Sequence, residues 1–332
     1  MSTACLTQLQ PIIPNKMCES VILGIDTSNY TTSVAILTLD GELIANLKRP
    51  LPVKPGERGL RQSDAVFAHT VNLPELMKEA EKYLDGRRIV ALGVSATPRN
   101  EEGSYMPCFL CGVAAAQSIA STSGIPLYRF SHQCGHIMAA IYSSGRYDLL
   151  AEDFGAFHIS GGTTELVRVS PIDSGFDTML IGGTADLNAG QVIDRIGVYM
   201  GMKFPAGPAL EEEAMKNVDK IPRKKVSSSG MTVNLSGLEN LAVKLYRDTN
   251  NVPLTAAFVF DYVGRAICAM LDAYKEKYGD STVICAGGVM CNGIIKKMLS
   301  ERYDVSFAEP SMSADNAVGV AALTLRAYKS EK

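Results

Sequence analysis

The strongest constraint on the fold is a strand pattern that occurs twice. Residues 20–25 form an apolar run of strand length that ends in the polar turn Asp26-Thr27-Ser28. Residues 32–37 make a second strand, Asp40-Gly41 a hairpin turn and residues 42–47 a third strand. The order restarts near residue 155, with strands at 155–159, 164–169 and 178–181 and the turn Gly161-Gly162 after the first. Between the two starts, the spacing predicts a helix over 65–84, a strand over 89–95 and an Ala-rich helix over 107–121. After the second start it predicts helices at about 188–200, 208–217, 236–247 and 254–278. A strand at 282–285, the turn Gly287-Gly288, a helix from Asn292, a strand near 305–307 and a last helix over about 313–328 complete the chain. Such an order describes an internally duplicated, two-lobed α/β protein with a ligand cleft between its lobes. The expected division is a loose extension over 1–19, one lobe over 20–130 plus about 313–332, and the other over 131–312.

Length and composition narrow the function classes. A chain of 332 residues is long for one lobe, and 46% apolar with 20% charged residues is ordinary globular composition. The net charge of −3 creates no field that would hold nucleic acid nonspecifically. An RNA partner would need a local patch or a second subunit. The stretch from Asp219 to Gly230, with Lys220, Arg223, Lys224, Lys225 and then three serines, reads as an exposed loop whose charge run is a solvated face. Eight scattered cysteines without a secretory leader indicate reduced thiols and a cytoplasmic protein. No window of about 18 apolar residues marks a membrane span, so no membrane partner is expected. Cys108 and Cys111 form a CxxC inside an apolar helix with no second pair at zinc spacing, and read as buried packing residues.

The chemistry concentrates in His132 and His136, two of only four histidines. On a helix, a spacing of four puts both imidazoles on one face within reach of one metal ion. The other reading is one packed histidine and one surface histidine. Gln133 stands where a zinc-protease helix has its general-base glutamate, which argues against metal-assisted peptide hydrolysis. Asp315 opens the last helix, where a carboxylate complements the helix dipole. It is also a natural oxygen donor to complete a site of two histidines and one carboxylate. Three turns, Ser160-Gly161-Gly162-Thr163, Gly287-Gly288 and Phe204-Pro205-Ala206-Gly207-Pro208, read singly as tight turns and together as a phosphate or nucleotide cradle. Asp194 reads either as a helix-surface charge or as an acceptor for a ribose.

Taken in order, these segments resemble one family, the tRNA threonylcarbamoyladenosine transferases (TsaD-like, formerly labelled O-sialoglycoprotein endopeptidases). The resemblance runs from about residue 20 to the C-terminus. It is carried by Gly24-Ile-Asp-Thr-Ser28, His132-Gln-Cys-Gly-His136, Ile159-Ser-Gly-Gly162, Ala189-Gly-Gln-Val-Ile-Asp194 with Pro205-Ala-Gly-Pro208, Ser236-Gly-Leu238, Ala286-Gly-Gly-Val289 with Asn292, and Ala314-Asp-Asn316. It implies the duplicated βββαβαβα fold of the actin, sugar-kinase and heat-shock ATPase superfamily. It implies one divalent metal, iron or zinc, on His132, His136 and Asp315. Residues His158 to Gly162, Asp194, Gly207 and Asn292 would line a pocket for ATP or threonylcarbamoyl-adenylate, with Thr163, Gly287 and Gly288 beside them. The implied reaction moves a threonylcarbamoyl group from its adenylate to N6 of adenosine-37 in tRNA, alongside helper subunits or a paralogous dimer partner. No catalytic residue is assigned; Asp26, Ser28 and Asn29 are expected to line the cleft.

The chain departs from the family pattern in several places. Asn29-Tyr30-Thr31-Thr32 stands where the family has Cys-Asp-Glu-Thr, which removes two acidic side chains. Thr163 replaces a histidine, Gln191 a glutamate and Glu239 a lysine, and a longer charged segment over 97–103 replaces a Gly-Pro-Gly loop. The pattern is that of a divergent paralogue. Two alternatives therefore stay open: a carbamoyl-type transferase with another acceptor, and a noncatalytic nucleotide-binding partner subunit, against which the intact His132, His136 and Asp315 speak.

Overall fold

The computed structural model describes residues 19–28, 30–52, 60–313 and 317–332. Asn29 and Asp315, like the expected extension before residue 19, lie outside the described residues. The first half runs β1 (Ser20–Asp26), β2 (Thr31–Thr38), β3 (Leu43–Pro50), α1 (Gln62–Leu84), β4 (Arg88–Thr97), α2 (Phe109–Ser123), β5 (Leu127–Ser131) and α3 (His132–Ser144). The second runs β6 (Phe154–Ile159), β7 (Thr164–Ile172), β8 (Gly175–Thr184), α4 (Ala189–Tyr199), α5 (Gly207–Met215), β9 (Ser227–Ser229), β10 (Thr232–Asn234), α6 (Ser236–Thr249) and α7 (Val252–Tyr278). It ends with β11 (Val283–Ala286), α8 (Gly293–Ser300), β12 (Val305–Phe307), α9 (Pro310–Ser313) and α10 (Val318–Ser330).

The strands build two sheets, ordered β3-β2-β1-β4-β5 and β12-β11-β6-β7-β8-β10-β9. In the first, β1, β2 and β3 form an antiparallel meander and β4 and β5 add in parallel. The run β8-β7-β6-β11-β12 repeats that plan, with the same antiparallel and parallel pairings. The duplication expected from the two βββ starts is therefore present in topology, extended at one edge by β10 and β9.

Three details differ from the sequence expectation. Strand β5 is not expected from the sequence and runs directly into α3: Ser131 ends the strand and caps the helix, its hydroxyl accepting the Cys134 N–H at 3.2 Å. The segment read wholly as loop contains β9, whose three serines are all exposed and so carry no alternation signal. Among the described residues, the C-terminal helical stretch comprises α9, which ends at Ser313, and α10, which begins at Val318.

Alternation along β1 explains the layering. Val21, Leu23 and Ile25 join the core under α1 and α2, while Ile22 faces α3 and α10. That second core also takes Ala156, Val167 and Ile284 from the other sheet, so α3 and α10 are shared between both sheets. Helices α4 to α8 cover the far face of the second sheet, with α7 at the centre of that core. By length and mean hydropathy (1.5), α7 is apolar enough to cross a bilayer, contrary to the sequence expectation of no such window. With 78% of that window buried, it is a core helix here.

Close approach of α10 depends on glycine. Gly24 and Gly93 are register partners on β1 and β4, and a Cβ on either would strike α10. On α10 itself, a Cβ on Gly319 would run into the Gly135 carbonyl of α3. We expect Gly319→Ala to cost on the order of 1–3 kcal/mol, the usual range for overpacking. A urea melt should show a lower midpoint, whereas Gly237→Ala, with nothing within 4 Å of its Cβ position, should hold or raise it.

Candidate functional site

The cap at Ser131 starts α3 so that His132 and His136 stack one turn apart. They are 8% and 5% exposed. Their Nε2 atoms lie 2.9 Å apart and their ring centroids 4.2 Å apart. On the other side of the ring, His132 Nδ1 lies 3.1 Å from Asp26 Oδ2 at the end of β1. Asp26 is fully buried, and its two oxygens also accept the Ser28 N–H and hydroxyl, each at 3.0 Å. A carboxylate there favours the tautomer with its proton on Nδ1, leaving the Nε2 lone pair directed at His136. The edge of Phe109 packs on the same ring at 6.1 Å.

Two arrangements satisfy nitrogens at this separation: a proton shared between the rings, or a common cation. Two nitrogens bound at about 2.0–2.1 Å to one ion and at a right angle lie about 2.9 Å apart. Donor type, burial and the Asp26 contact all fit a metal, because ligating histidines ordinarily give their other N–H to a carboxylate. Among the described residues, no group of three His, Cys, Asp or Glu forms a cage. The third ligand expected from sequence, Asp315, lies outside them.

The second sheet supplies the facing wall. His158 on β6 lies against His136 with ring centroids 4.6 Å apart. In register, His158 faces Glu165 on β7, which faces Gly183 on β8. Side chains opposite one another share a sheet face, so Glu165 projects to the same side as His158. It pairs with Arg99 from the segment joining β4 to α2. Burial holds the Glu165 carboxyl above its ordinary range despite that guanidinium. From the same segment, Asn100 donates to the Phe176 carbonyl at 2.8 Å and the Pro98 carbonyl accepts the Gln133 N–H at 3.1 Å. The longer charged segment noted in the sequence therefore fastens the two sheets together beside the histidines.

The predicted cradle residues fall into connected groups. Ser160 N–H donates to the Thr163 carbonyl at 2.8 Å, which closes a turn whose Gly161 and Gly162 are exposed. Asn188 Nδ2 donates to the Gly162 carbonyl at 2.9 Å, and α4 begins so close that a Cβ on Gly190 would strike the Ser160 and Gly161 backbone. Gly287, with φ +99°, is buried and abuts the Ile159 carbonyl in the same way, and Gly288 next to it is exposed. Asn292 Oδ1 accepts the Ile295 N–H at 3.0 Å and caps α8. Asp194 Oδ1 accepts the Ala206 N–H at 2.7 Å, so this carboxylate tethers the loop that leads to Gly207. Burial raises its pKa and outweighs the hydrogen bonds from Ala206 and Gly207. Cys108 is fully buried and Cys111 partly so, its Sγ 3.4 Å from the Val66 carbonyl.

Reading the sequence missed three roles. Asp26 was expected only to line the cleft, and Arg99 and Glu165 were not singled out. Counting register outward from the Ser160–Thr163 turn would have put Glu165 opposite His158; no local signal links Arg99 to either.

Comparison with known proteins adds the following. A family profile described as "TsaD: tRNA N6-adenosine threonylcarbamoyltransferase" matches residues 54–322. A protein of that name from Streptococcus suis (strain 05ZYH33) is 30% identical over 336 residues, covering 95% of this chain and 94% of its own. One from Streptococcus gordonii is 30% identical over 325 residues, covering 91% and 90%. Among solved structures, full-length HypF in a phosphate- and nucleotide-bound form superposes with a TM-score of 0.59 at 12% identity, covering 96% of this chain and 57% of that one. Component A of the Acidaminococcus fermentans (R)-2-hydroxyglutaryl-CoA dehydratase gives 0.53 at 15% identity, covering 94% and 99%. A ROK family glucokinase from Streptomyces griseus gives 0.51 at 12% identity, covering 93% and 99%. These likenesses show the fold.

If the histidine pair holds a metal, purified protein carries about one equivalent of transition metal, as a single site of this donor type would. Elemental analysis should find it absent from the His132→Ala, His136→Ala double variant. Asp26→Asn should weaken affinity about 10- to 100-fold, the usual cost of losing a carboxylate behind a ligating histidine. A wild-type protein without metal would end this reading.

Proposed function

The chain belongs to the tRNA N6-adenosine threonylcarbamoyltransferase family, a family of transferases; from that premise we propose that it moves a threonylcarbamoyl group from its adenylate to N6 of adenosine-37 in tRNA. The observation that carries this is the buried His132–His136 pair, with Nε2 atoms at 2.9 Å, beside the His158 strand that runs into the glycine turn. The reading gives that pair, with Asp315, one iron or zinc ion. When bound, such an ion supplies Lewis acidity toward the carbamoyl oxygens. The chain's own residues do the rest by orientation and charge. Asp26 keeps the proton of His132 on Nδ1. The exposed Gly161–Gly162 turn offers backbone N–H groups to the phosphate, as Gly287-Gly288 does from the neighbouring turn. Asp194 positions Gly207 and faces the ribose, and Asn292 holds the start of α8 against the same ligand. In the transfer, the acceptor nitrogen bonds to the carbamoyl carbon, the bond from that carbon to the adenylate oxygen breaks, AMP leaves and the nitrogen releases its proton.

We place the protein in the cytoplasm, where its substrate is, working with a helper subunit or paralogous partner. The solvent-facing side of α1 and α2 supports the second point. Phe67, Val71 and Leu110 are 72%, 51% and 52% exposed there, an apolar face that a partner would cover. The lobe division stands as a proposal: residues 20–130 with about 313–332, and 131–312.

One observation favours a second reading, in which the same chemistry serves another acceptor. Tyr30 and Thr31 stand at the family's two acidic positions, and Tyr30 is 46% exposed, an uncharged aromatic in place of a carboxylate. Mass spectrometry of tRNA nucleosides from a deletion strain decides between them. Loss of threonylcarbamoyladenosine is expected, and its persistence would leave only the second reading. In a calorimetric titration, Asp194→Asn should weaken AMP binding by about tenfold, the loss of one charged hydrogen bond. Unchanged affinity would remove Asp194 from the pocket.

A further inference from the structure

An open depression of about 380 Å³ lies on the cleft side of the second sheet, a size that suits a small planar ligand. Its floor is Gly182 and Gly183, which carry no side chains, and Thr232 closes the far side. Glu165 forms one wall and Leu180 another. Leu180 pairs in register with Val167, so both lie on the same face. Val167 is buried in the shared core, yet Leu180 is 49% exposed. A large apolar side chain left open above a glycine floor, opposite a mostly buried carboxylate, is a suitable seat for an aromatic heterocycle that donates hydrogen bonds.

The position is informative. Glu165 and Gly183 extend the row begun by His158, one and two strands along. At about 4.8 Å per strand, the depression begins within about 10 Å of the ring that packs on His136. On its rim, Asn188 donates to the Gly162 carbonyl of the glycine turn at 2.9 Å. The histidine pair, the glycine turn and the depression are thus contiguous.

We infer that this depression seats the acceptor base, an unstacked purine lying on Gly182–Gly183 against Leu180 with its exocyclic amine donating to Glu165. Enzymes that act on a base take it out of its stack into such a pocket, read by hydrogen bonds at its edge and by apolar contacts on its face. The inference rests on the proposed function for its RNA source. The same chemistry would fit the adenine of a free nucleotide, so the experiment must separate the two.

Fluorescence anisotropy of the full-length protein with a labelled RNA hairpin carrying one unpaired loop adenine, alongside calorimetry with AMP, makes that separation. Leu180→Ala and Glu165→Gln should each weaken hairpin binding about tenfold, the equivalent of one charged hydrogen bond or one good apolar contact. Replacing the loop adenine by purine, which lacks the exocyclic amine, should cost the wild type a similar factor and cost Glu165→Gln, whose amide oxygen still accepts but carries no charge, clearly less. Arg99→Ala breaks the ion pair but keeps the carboxylate, so it should leave the affinity within about twofold. AMP affinity should be unchanged in all three variants. Equal losses in Arg99→Ala and Glu165→Gln would mean that Glu165 acts only by joining the sheets, which overturns the inference. Weakened AMP binding in Leu180→Ala and Glu165→Gln would assign the depression to the nucleotide, which also overturns it. Hairpin binding that none of the variants alters overturns the inference and leaves the proposed function standing. A wild type that binds no RNA overturns this inference as well, while the proposed function is decided separately by the tRNA nucleosides of the deletion strain.

Discussion

A fully buried carboxylate must be compensated, and in this protein that requirement organises the site. Asp26 ends β1 with no exposed surface. Two hydrogen bonds from Ser28 and the Nδ1 contact of His132 supply the compensation, each at 3.0–3.1 Å. Breaking any of them would leave charge stranded in a low-dielectric interior, so the end of β1, the turn after it and the first turn of α3 hold one another in place. The orientation of His132, and through it the 2.9 Å separation from His136, follows from that requirement.

Much of the fold was legible because the signals were local and repeated. Two apolar triplets of strands, each with a turn at its tip, lead directly to two sheets with the same pairing order. The misses share a physical cause. Ser131 serves a strand and a helix at once, so no glycine or proline marks the boundary between β5 and α3. Ser227–Ser229 has no hydrophobic alternation because every residue in it faces water; pairing with β10, not pattern, makes it a strand.

The site was legible in residue type and less so in arrangement. A spacing of four found the histidine pair, but Asp26 is 106 residues away from His132 and Arg99 is 66 away from Glu165. No periodicity connects such pairs; only the stacking of two sheets does. Asp194 shows a further limit. Its helix position was readable, yet its carboxylate is committed to the Ala206 N–H, a contact set by how the following loop folds back. Several departures from the family pattern also acquire structural partners. Gln191 completes a capping box with Asn188, and Glu239 pairs with Arg195 at 3.1 Å. These substitutions are absorbed by local structure and leave the histidines untouched.

The helix that carries the histidines contributes to the core shared by both sheets and meets α10 through bare backbone at Gly135 and Gly319. A packed interior transmits strain. Any tilt of one sheet against the other must therefore shift the opening turn of α3, and the gap between the two imidazole nitrogens with it. Cleft closure and the geometry of the histidine pair become a single mechanical coordinate, so a spectroscopic signal from the two imidazoles would double as a gauge of how far the cleft has shut.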